Sequence, residues 1–205
     1  QIGQRTARRT RTAQAMRIIA GKFRGRRLEA PEGETVRPTS DRAREALFNV
    51  LAHGRYREGG GSAVEGAVVL DAFCGTGALG LEALSRGAQR VTLLDNDAKV
   101  LAVARRNAKA LGVESQVAYA LADATKPQAP RQAHDLVFLD APYDSDLATP
   151  ALAALAQGGW IADGALVVVE RPSKHPDFDI PEKFAERERR KYGAATLVFL
   201  SYAPA

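Results

Sequence analysis

The chain has 205 residues, 45% hydrophobic and 26% charged. That size and balance fit a soluble α/β domain with a small appendage. They come with no apolar run near the ~20 residues that cross a bilayer, no secretory stretch at the start, and a single cysteine, Cys74, which excludes an intrachain disulfide and fits a reducing cytoplasm. Charge is uneven: residues 1–50 carry 12 Lys/Arg against 5 Asp/Glu, and the other 155 carry 17 against 19. The +5 excess therefore lies at the N-terminal end, where it favours a polyanionic partner through counterion release.

In chain order, residues 1–15 read as a basic tail (Arg5, Arg8, Arg9, Arg11) without hydrophobic periodicity, a leader or a non-native extension before the only methionine, Met16. Residues 16–53 read as an N-terminal extension. Arg17–Gly21 and Gly25–Leu28 are expected to form two short strands around a basic turn, and Thr39-Ser40-Asp41 caps a helix over 42–52 with Ala43, Ala46, Leu47, Val50 and Leu51 on one face. Residues 54–66, Gly-rich and polar, are read as a flexible connection.

Residues 67–205 are read as the main domain. Ala67–Asp71 is an unbroken apolar run, as in a strand covered on both faces. Helices are expected over 78–86, 97–111 (Asp97 capping, Gly112 closing) and 147–157. Strands are expected at 90–95, 116–121, 135–140, 165–170, 184–192 and 196–202. Repeated strand–helix alternation predicts a doubly wound, seven-stranded, mostly parallel sheet, and the short connection at Gly193 permits only an antiparallel hairpin at its end.

Two strings carry the chemistry. Gly75-Thr76-Gly77-Ala78-Leu79-Gly80 matches G-x-G-x-x-G between a strand and a helix, where glycines allow a tight turn and close approach of a nucleotide-like cofactor. Asp71, four residues before Gly75, favours S-adenosylmethionine over a dinucleotide because a carboxylate there can place a cationic methionine end. Asp95, ending the next strand, suits ribose hydroxyls of either cofactor. Asp123 can accept from an adenine amine, or can simply cap its own backbone. Phe73, Thr76, Asn96 and Ala124 are candidate cofactor contacts beside them. Cys74 reads as a packed loop residue rather than a nucleophile. Three scattered histidines (His53, His134, His175) and one cysteine form no metal-ligand pattern, so no metal is expected.

The second string is Asp140-Ala141-Pro142-Tyr143. An exocyclic base amine is a poor nucleophile because its lone pair is delocalised into the ring. The Asp140 carboxylate and the Ala141 carbonyl can accept its two N–H groups and favour a pyramidal nitrogen. Pro142 keeps Ala141 out of the α region, and Tyr143 offers a stacking face, a contact worth about 1–3 kcal/mol. The residues therefore point to methylation of a nucleobase amine by positioning and hydrogen bonding.

With Met16–Gly21, Arg37-Pro38-Thr39-Ser40-Asp41-Arg42-Ala43-Arg44-Glu45-Ala46-Leu47-Phe48-Asn49 and Lys191-Tyr192-Gly193, the chain resembles the bacterial 16S rRNA guanine-N2 methyltransferases of the RsmD family. The resemblance covers about residues 16–203. It implies a Rossmann-like, S-adenosylmethionine-dependent, cytoplasmic monomer that leaves S-adenosylhomocysteine and methylates guanosine 966 of the small-subunit RNA, within assembled or assembling subunits and with ribosomal proteins as possible helpers. By position it implies Asp140, Ala141, Pro142 and Tyr143 as the catalytic set, and Asp71, Gly75, Gly77, Asp95 and Asp123 around the cofactor. Arg37 and Thr39 would close over its methionine end; their alternative is helix capping and a surface salt bridge. Lys22, Arg24, Arg26, Arg27 and Lys191 are the expected RNA contacts. One departure stands out: the family has Asp-Pro-Pro-Tyr or Asp-Pro-Pro-Phe, and Ala141 replaces its first proline. Competing readings are a DNA adenine-N6 methyltransferase, which has no spare length here for a target-recognition domain, an RNA-binding assembly factor with little turnover, a small-molecule methyltransferase, and a nicotinamide oxidoreductase.

Overall fold

Apolar runs that end in carboxylates form the middle of the sheet. In the computed structural model, which describes residues 16–30, 41–57, 59–142 and 146–204, β1 (Val68–Ala72), β2 (Arg90–Asp95), β3 (Val117–Leu121), β4 (His134–Leu139), β5 (Ile161–Pro172), β6 (Phe184–Tyr192) and β7 (Ala195–Tyr202) form one seven-stranded sheet in the order β3-β2-β1-β4-β5-β7-β6. The first five are parallel, and β7 pairs antiparallel with β5 and β6. The expected topology is present. The basic tail 1–15, Arg37, Thr39 and Tyr143 lie outside the described residues.

The central strands are buried on both faces, and helices supply the cover. One layer packs α1 (Asp41–His53), α2 (Ala78–Ser85) and α3 (Ala98–Leu111) over Val69, Leu93, Leu136, Phe138, Val168 and Phe199. Phe48 of α1 tilts onto Phe138 at 5.6 Å. The other face packs α4 (Ala148–Gln157) over Leu70, Leu139, Val167 and Val198. β6 lies at the sheet edge and alternates charges from Glu186 to Lys191, which disfavours edge-to-edge pairing with another chain. No helix among the described residues is long and apolar enough to cross a membrane.

Several boundaries move. β5 runs from Ile161 rather than 165, with a register irregularity against β4 between His134 and Leu136. Residues 59–66 form no helix or strand, yet Ala63 and Val64 are buried, and Arg57 donates to the carbonyls of Ser62 and Glu65 at 3.1 and 2.7 Å.

The two N-terminal strands are not formed as such. They shrink to one antiparallel bridge between Arg17 and Arg27, flanked by Leu28 N–H to Met16 O at 2.8 Å and Ile18 N–H to Arg26 O at 2.9 Å. The reason lies on α2. Its fully buried Glu82 accepts the N–H groups of Ile19 and Ala20 at 2.7 and 3.0 Å. Ser85 donates to Ala20 O (2.6 Å), accepts from Phe23 N–H (2.9 Å), and its carbonyl accepts from Lys22 N–H (2.7 Å). Backbone groups that would pair in a hairpin are satisfied by a helix instead.

Candidate active site

In a doubly wound sheet the crevice opens at the C-terminal strand ends where the order reverses. Here that point lies between β1 and β4, whose neighbours run outward to β3 on one side and β5 on the other. The glycine loop leaves β1 and the Asp140 segment leaves β4, so the two strings that carry the chemistry exit adjacent strands.

The loop turns sharply. Phe73 takes φ 60°, a left-handed conformation that costs a non-glycine residue about 1–2 kcal/mol and marks a functional turn. Gly75 (φ 53°) places its N–H on Asp95 Oδ2 at 3.0 Å, and a Cβ built on it meets nothing within 4 Å. That side of the loop is open space. Gly77 (φ 78°) stands at the N-cap of α2 and has no side chain to cap it, and of the first-turn N–H groups that of Gly80 goes to Asp71. Gly80 serves packing: a Cβ there would lie 2.7 Å from both Leu93 and Val91. Thr76 is buried and turns inward, its hydroxyl 3.2 Å from Met16 Sδ and its carbonyl accepting from Asn107 Nδ2 at 3.1 Å.

Four strand-end carboxylates take four different environments. Asp71 is buried and accepts Gly80 N–H at 2.8 Å; burial, against that hydrogen bond and aided by the Asp95 charge, pushes its pKa up to about 8. Asp95 is half-buried, one oxygen on Gly75 N–H and the other on Asp97 N–H at 3.0 Å, with Asn96 exposed between them. Asp123 is exposed and accepts from Thr125 N–H (2.8 Å) and Thr125 Oγ1 (2.7 Å), which hold its pKa down; it caps its own turn, beside a buried Ala124. Asp140 is half-buried, and burial, then the Glu170 and Asp71 charges, raise its pKa well above the carboxylate range. Ala141 is buried and Pro142 exposed. Burial also pushes the Cys74 thiol up, so it is a packed loop residue and no nucleophile.

The basic turn is displayed on the clamp described above. Lys22, Arg24, Arg26 and Arg27 are all exposed, with Lys22 over the Phe23 ring at 5.4 Å and Arg26 anchored to the Ala110 carbonyl of α3. Lys191 is exposed too, but on β6, at the opposite edge of the sheet from β3. The fold does not gather it with the other four.

Sequence reasoning passed over four residues near this site. Glu82 and Ser85 look like the polar side of a short helix, and only their burial reveals the clamp. Asn107, almost fully buried, bridges the glycine loop to the N-terminal arm: it donates to Thr76 O, donates to Glu29 O at 3.1 Å and accepts from Glu29 N–H at 2.7 Å. Glu170 ends the apolar run of β5, one residue past its last pairing with β4 at Val169–Leu139, and its charge reaches Asp140; a carboxylate closing such a run, as at Asp71, was the available signal. Among the described residues no group of His, Cys, Asp and Glu is arranged to hold a metal.

A seven-stranded sheet with an antiparallel end, a glycine loop after β1 and an Asp-x-Pro segment after β4 define the Rossmann-like methyltransferase class. The solved structure of yhhF from Escherichia coli, assigned as a methyltransferase, superposes with a TM-score of 0.77 at 32% identity over 94% of this chain and 100% of its own. The family described as conserved hypothetical protein 95 matches residues 16–201. The ribosomal RNA small subunit methyltransferase D of Haemophilus influenzae is 37% identical over 78% of this chain and 81% of its own, and that of Escherichia coli K12 is 39% identical over 76% and 74%. The chain belongs to this family, the RsmD family, and is a methyltransferase.

Proposed function

We propose that this methyltransferase transfers a methyl group from S-adenosylmethionine to the exocyclic N2 of a guanine in the 16S RNA of the small ribosomal subunit, at a site of the guanosine 966 type, acting as a monomer. What supports it is the exit of the Asp140-Ala141-Pro142 segment from the strand next to the glycine loop, in a chain whose relatives are named for small-subunit rRNA methylation.

Bound S-adenosylmethionine supplies a methyl group on a sulfonium sulfur, an electrophile poised for in-line attack. Gly75 would leave room for it, the start of α2 would offer N–H groups not taken by Asp71 to its carboxylate, Asp95 would accept from ribose hydroxyls, and Asp123 would take the adenine amine alongside its bonds to Thr125. Asp71, held at Gly80, ionises more readily beside a cationic ammonium, which opposes the burial that raises its pKa. At the amine, ionised Asp140 and the Ala141 carbonyl accept the two N2–H groups and hold the lone pair toward the methyl carbon. The amine that accepts the methyl group must lose a proton, and Asp140 would take it. Ala141 adds a backbone N–H where the family has proline, and loses some rigidity, but keeps the carbonyl that does the work.

Methyl transfer from labelled S-adenosylmethionine to small subunits lacking the modification, naked 16S RNA and duplex DNA tests the reading, with the product identified by nucleoside mass spectrometry. N2-methylguanosine in RNA is expected. N6-methyladenine in DNA overturns the substrate assignment. Cofactor binding with no transfer to any of them favours an assembly factor instead.

A further inference from the structure

α3 carries four cations and no acid: Lys99, Arg105, Arg106 and Lys109 are all exposed, while Leu101, Ala104, Ala108 and Leu111 face the core. Solvation alone does not call for that pattern. A helix that only meets water gains from interleaved Asp and Glu, and Arg105 and Lys109 stand one turn apart, a like-charge spacing that destabilises a helix. The helix dipole accounts for Lys109 in the last turn but disfavours Lys99 in the first. Among the described residues only Arg106 of the four is held in an ion pair, with Glu29 at 2.7 Å. Arg105 keeps its charge while lying 3.9 Å over the Tyr119 ring of β3, which fixes where its guanidinium stands. β6, at the opposite edge of the sheet, instead mixes Glu with Arg and Lys.

The two ends of α3 join the two places that a substrate RNA has to reach. At its start Asp97 caps the helix and gives its N–H to Asp95, whose other oxygen holds the glycine loop, so α3 begins at the crevice. At its far end the Ala110 carbonyl accepts from Arg26, which seats the basic turn on the last turn of the helix. The Asn107 hydrogen bonds and the Arg106–Glu29 pair tie the rest of the arm to the same helix. From Ala98 to Ala110 the rise is about 18 Å, and the exposed face of α3 is the stretch of surface between turn and crevice. We propose that this face is a track for the phosphodiester backbone of the substrate RNA, with Arg105 and Lys109 as direct phosphate contacts. The proposal rests on the RNA reading above and carries its docking surface from the turn onto a helix. Contacts of this kind position the nucleic acid and hold no sequence information.

The test titrates the enzyme with small subunits lacking the modification across a salt series. It compares Arg105→Gln/Lys109→Gln with a control of equal charge change at the opposite edge of the sheet, Lys183→Gln/Arg187→Gln, whose residues are also exposed. The α3 variant is expected to flatten the slope of log K against log salt by about 1.4–1.8, at about 0.7–0.9 per lost contact, which near 0.1 M salt is about 30-fold weaker binding. KM for the subunits should rise with kcat unchanged, because a contact remote from the amine holds substrate and transition state alike. The control is expected to keep the wild-type slope. Glutamine is a good helix former, and affinity for S-adenosylhomocysteine reports an intact crevice. Lys109→Gln alone leaves the Arg105–Tyr119 contact in place and should show half the change, which decides the matter if the double variant does not fold. An unchanged slope and KM in the α3 variant overturn the track, and so does an equal loss in the control, which would make the effect one of net charge. Wild-type binding without salt dependence overturns it too. Product analysis of the wild-type reaction is independent: a methylated base other than guanine overturns the guanine assignment and leaves the track standing.

Discussion

Replacing Gly21 with alanine isolates the docking of the N-terminal arm from the chemistry. Gly21 has φ 82°, and a Cβ built on it would lie 1.9 Å from the Ser85 carbonyl oxygen and 2.4 Å from its carbon. The obstacle is backbone of a buried helix, so the arm must lift by more than an ångström. Lifting breaks the three Ser85 hydrogen bonds to Ala20, Lys22 and Phe23, at 2.6, 2.7 and 2.9 Å. At about 1 kcal/mol net each, with about 1–2 kcal/mol for a left-handed alanine, the expected cost is about 4 kcal/mol, limited by the free energy of docking the arm. Urea unfolding followed by tryptophan fluorescence at Trp160 reads the stability, and limited proteolysis reads release of the arm at Arg24, Arg26 and Arg27. Cofactor affinity is expected to change less than RNA affinity, because Gly75, Gly77 and Asp95 do not contact Gly21. A variant as stable as wild type within 0.5 kcal/mol, with an equally protected arm, would refute the clamp.

Asp140→Ala should abolish methyl transfer while leaving cofactor affinity within a few-fold; isothermal titration with S-adenosylhomocysteine beside a transfer assay checks both, and full activity would remove Asp140 from the site. Charge reversal at Arg24, Arg26 and Arg27 should weaken RNA binding and flatten its dependence on log salt by about 0.7–0.9 per lost phosphate contact, read from filter binding across a salt series. Asp71 should cost stability as pH rises: its folded pKa, about 8, lies above its ordinary 3.8, so its contribution is full below pH 4 and is lost between there and pH 8, at up to about 1.4 kcal/mol per unit. Asp71→Asn keeps an acceptor for Gly80 N–H and removes the titration, so denaturation midpoints from pH 5 to 9 should fall less steeply in the variant. His134 works in the opposite direction. Burial lowers its pKa from 6.5 while Trp160 O and Thr92 Oγ1, each 2.8 Å away, hold the ring. Its contribution is present above pH 6.5 and is lost as acidity charges it, so His134→Gln should resist acid unfolding better in relative terms.

The sheet was readable because its inner strands have no solvent face: Val68–Ala72 and His134–Leu139 are apolar runs with no period to misread, and Asp97 and Gly112 mark the ends of α3 by their own local hydrogen bonds. The N-terminal arm was not, because its partners are distant in sequence. Ile19 and Ala20 are satisfied by Glu82, more than 60 residues on, and nothing local tells a buried acceptor on an eight-residue helix from a solvated one. The start of β5 was missed because Asp163 and Gly164 interrupt its apolar pattern, and pairing with β4 stops at Ile161 and resumes only at Leu166, past the register irregularity.

The carboxylates mark where local reading stops. Asp71, Asp95, Asp123 and Asp140 are near-equivalents in sequence, each closing or following a strand, and one physical type of residue was expected to do four related jobs. The fold separates them by what surrounds each. In the free protein Asp71 is enclosed and holds a helix onto the sheet, Asp95 accepts from the glycine loop at Gly75, and Asp123 accepts from its own turn at Thr125. Only Asp140 is at once half-open, desolvated and pressed by a second carboxylate. Burial disfavours the ionised form of Asp140 in the free protein, and in the proposed reaction the N–H donors of the base would favour it. Asp140 is therefore the carboxylate on which the proposed chemistry is most directly tested.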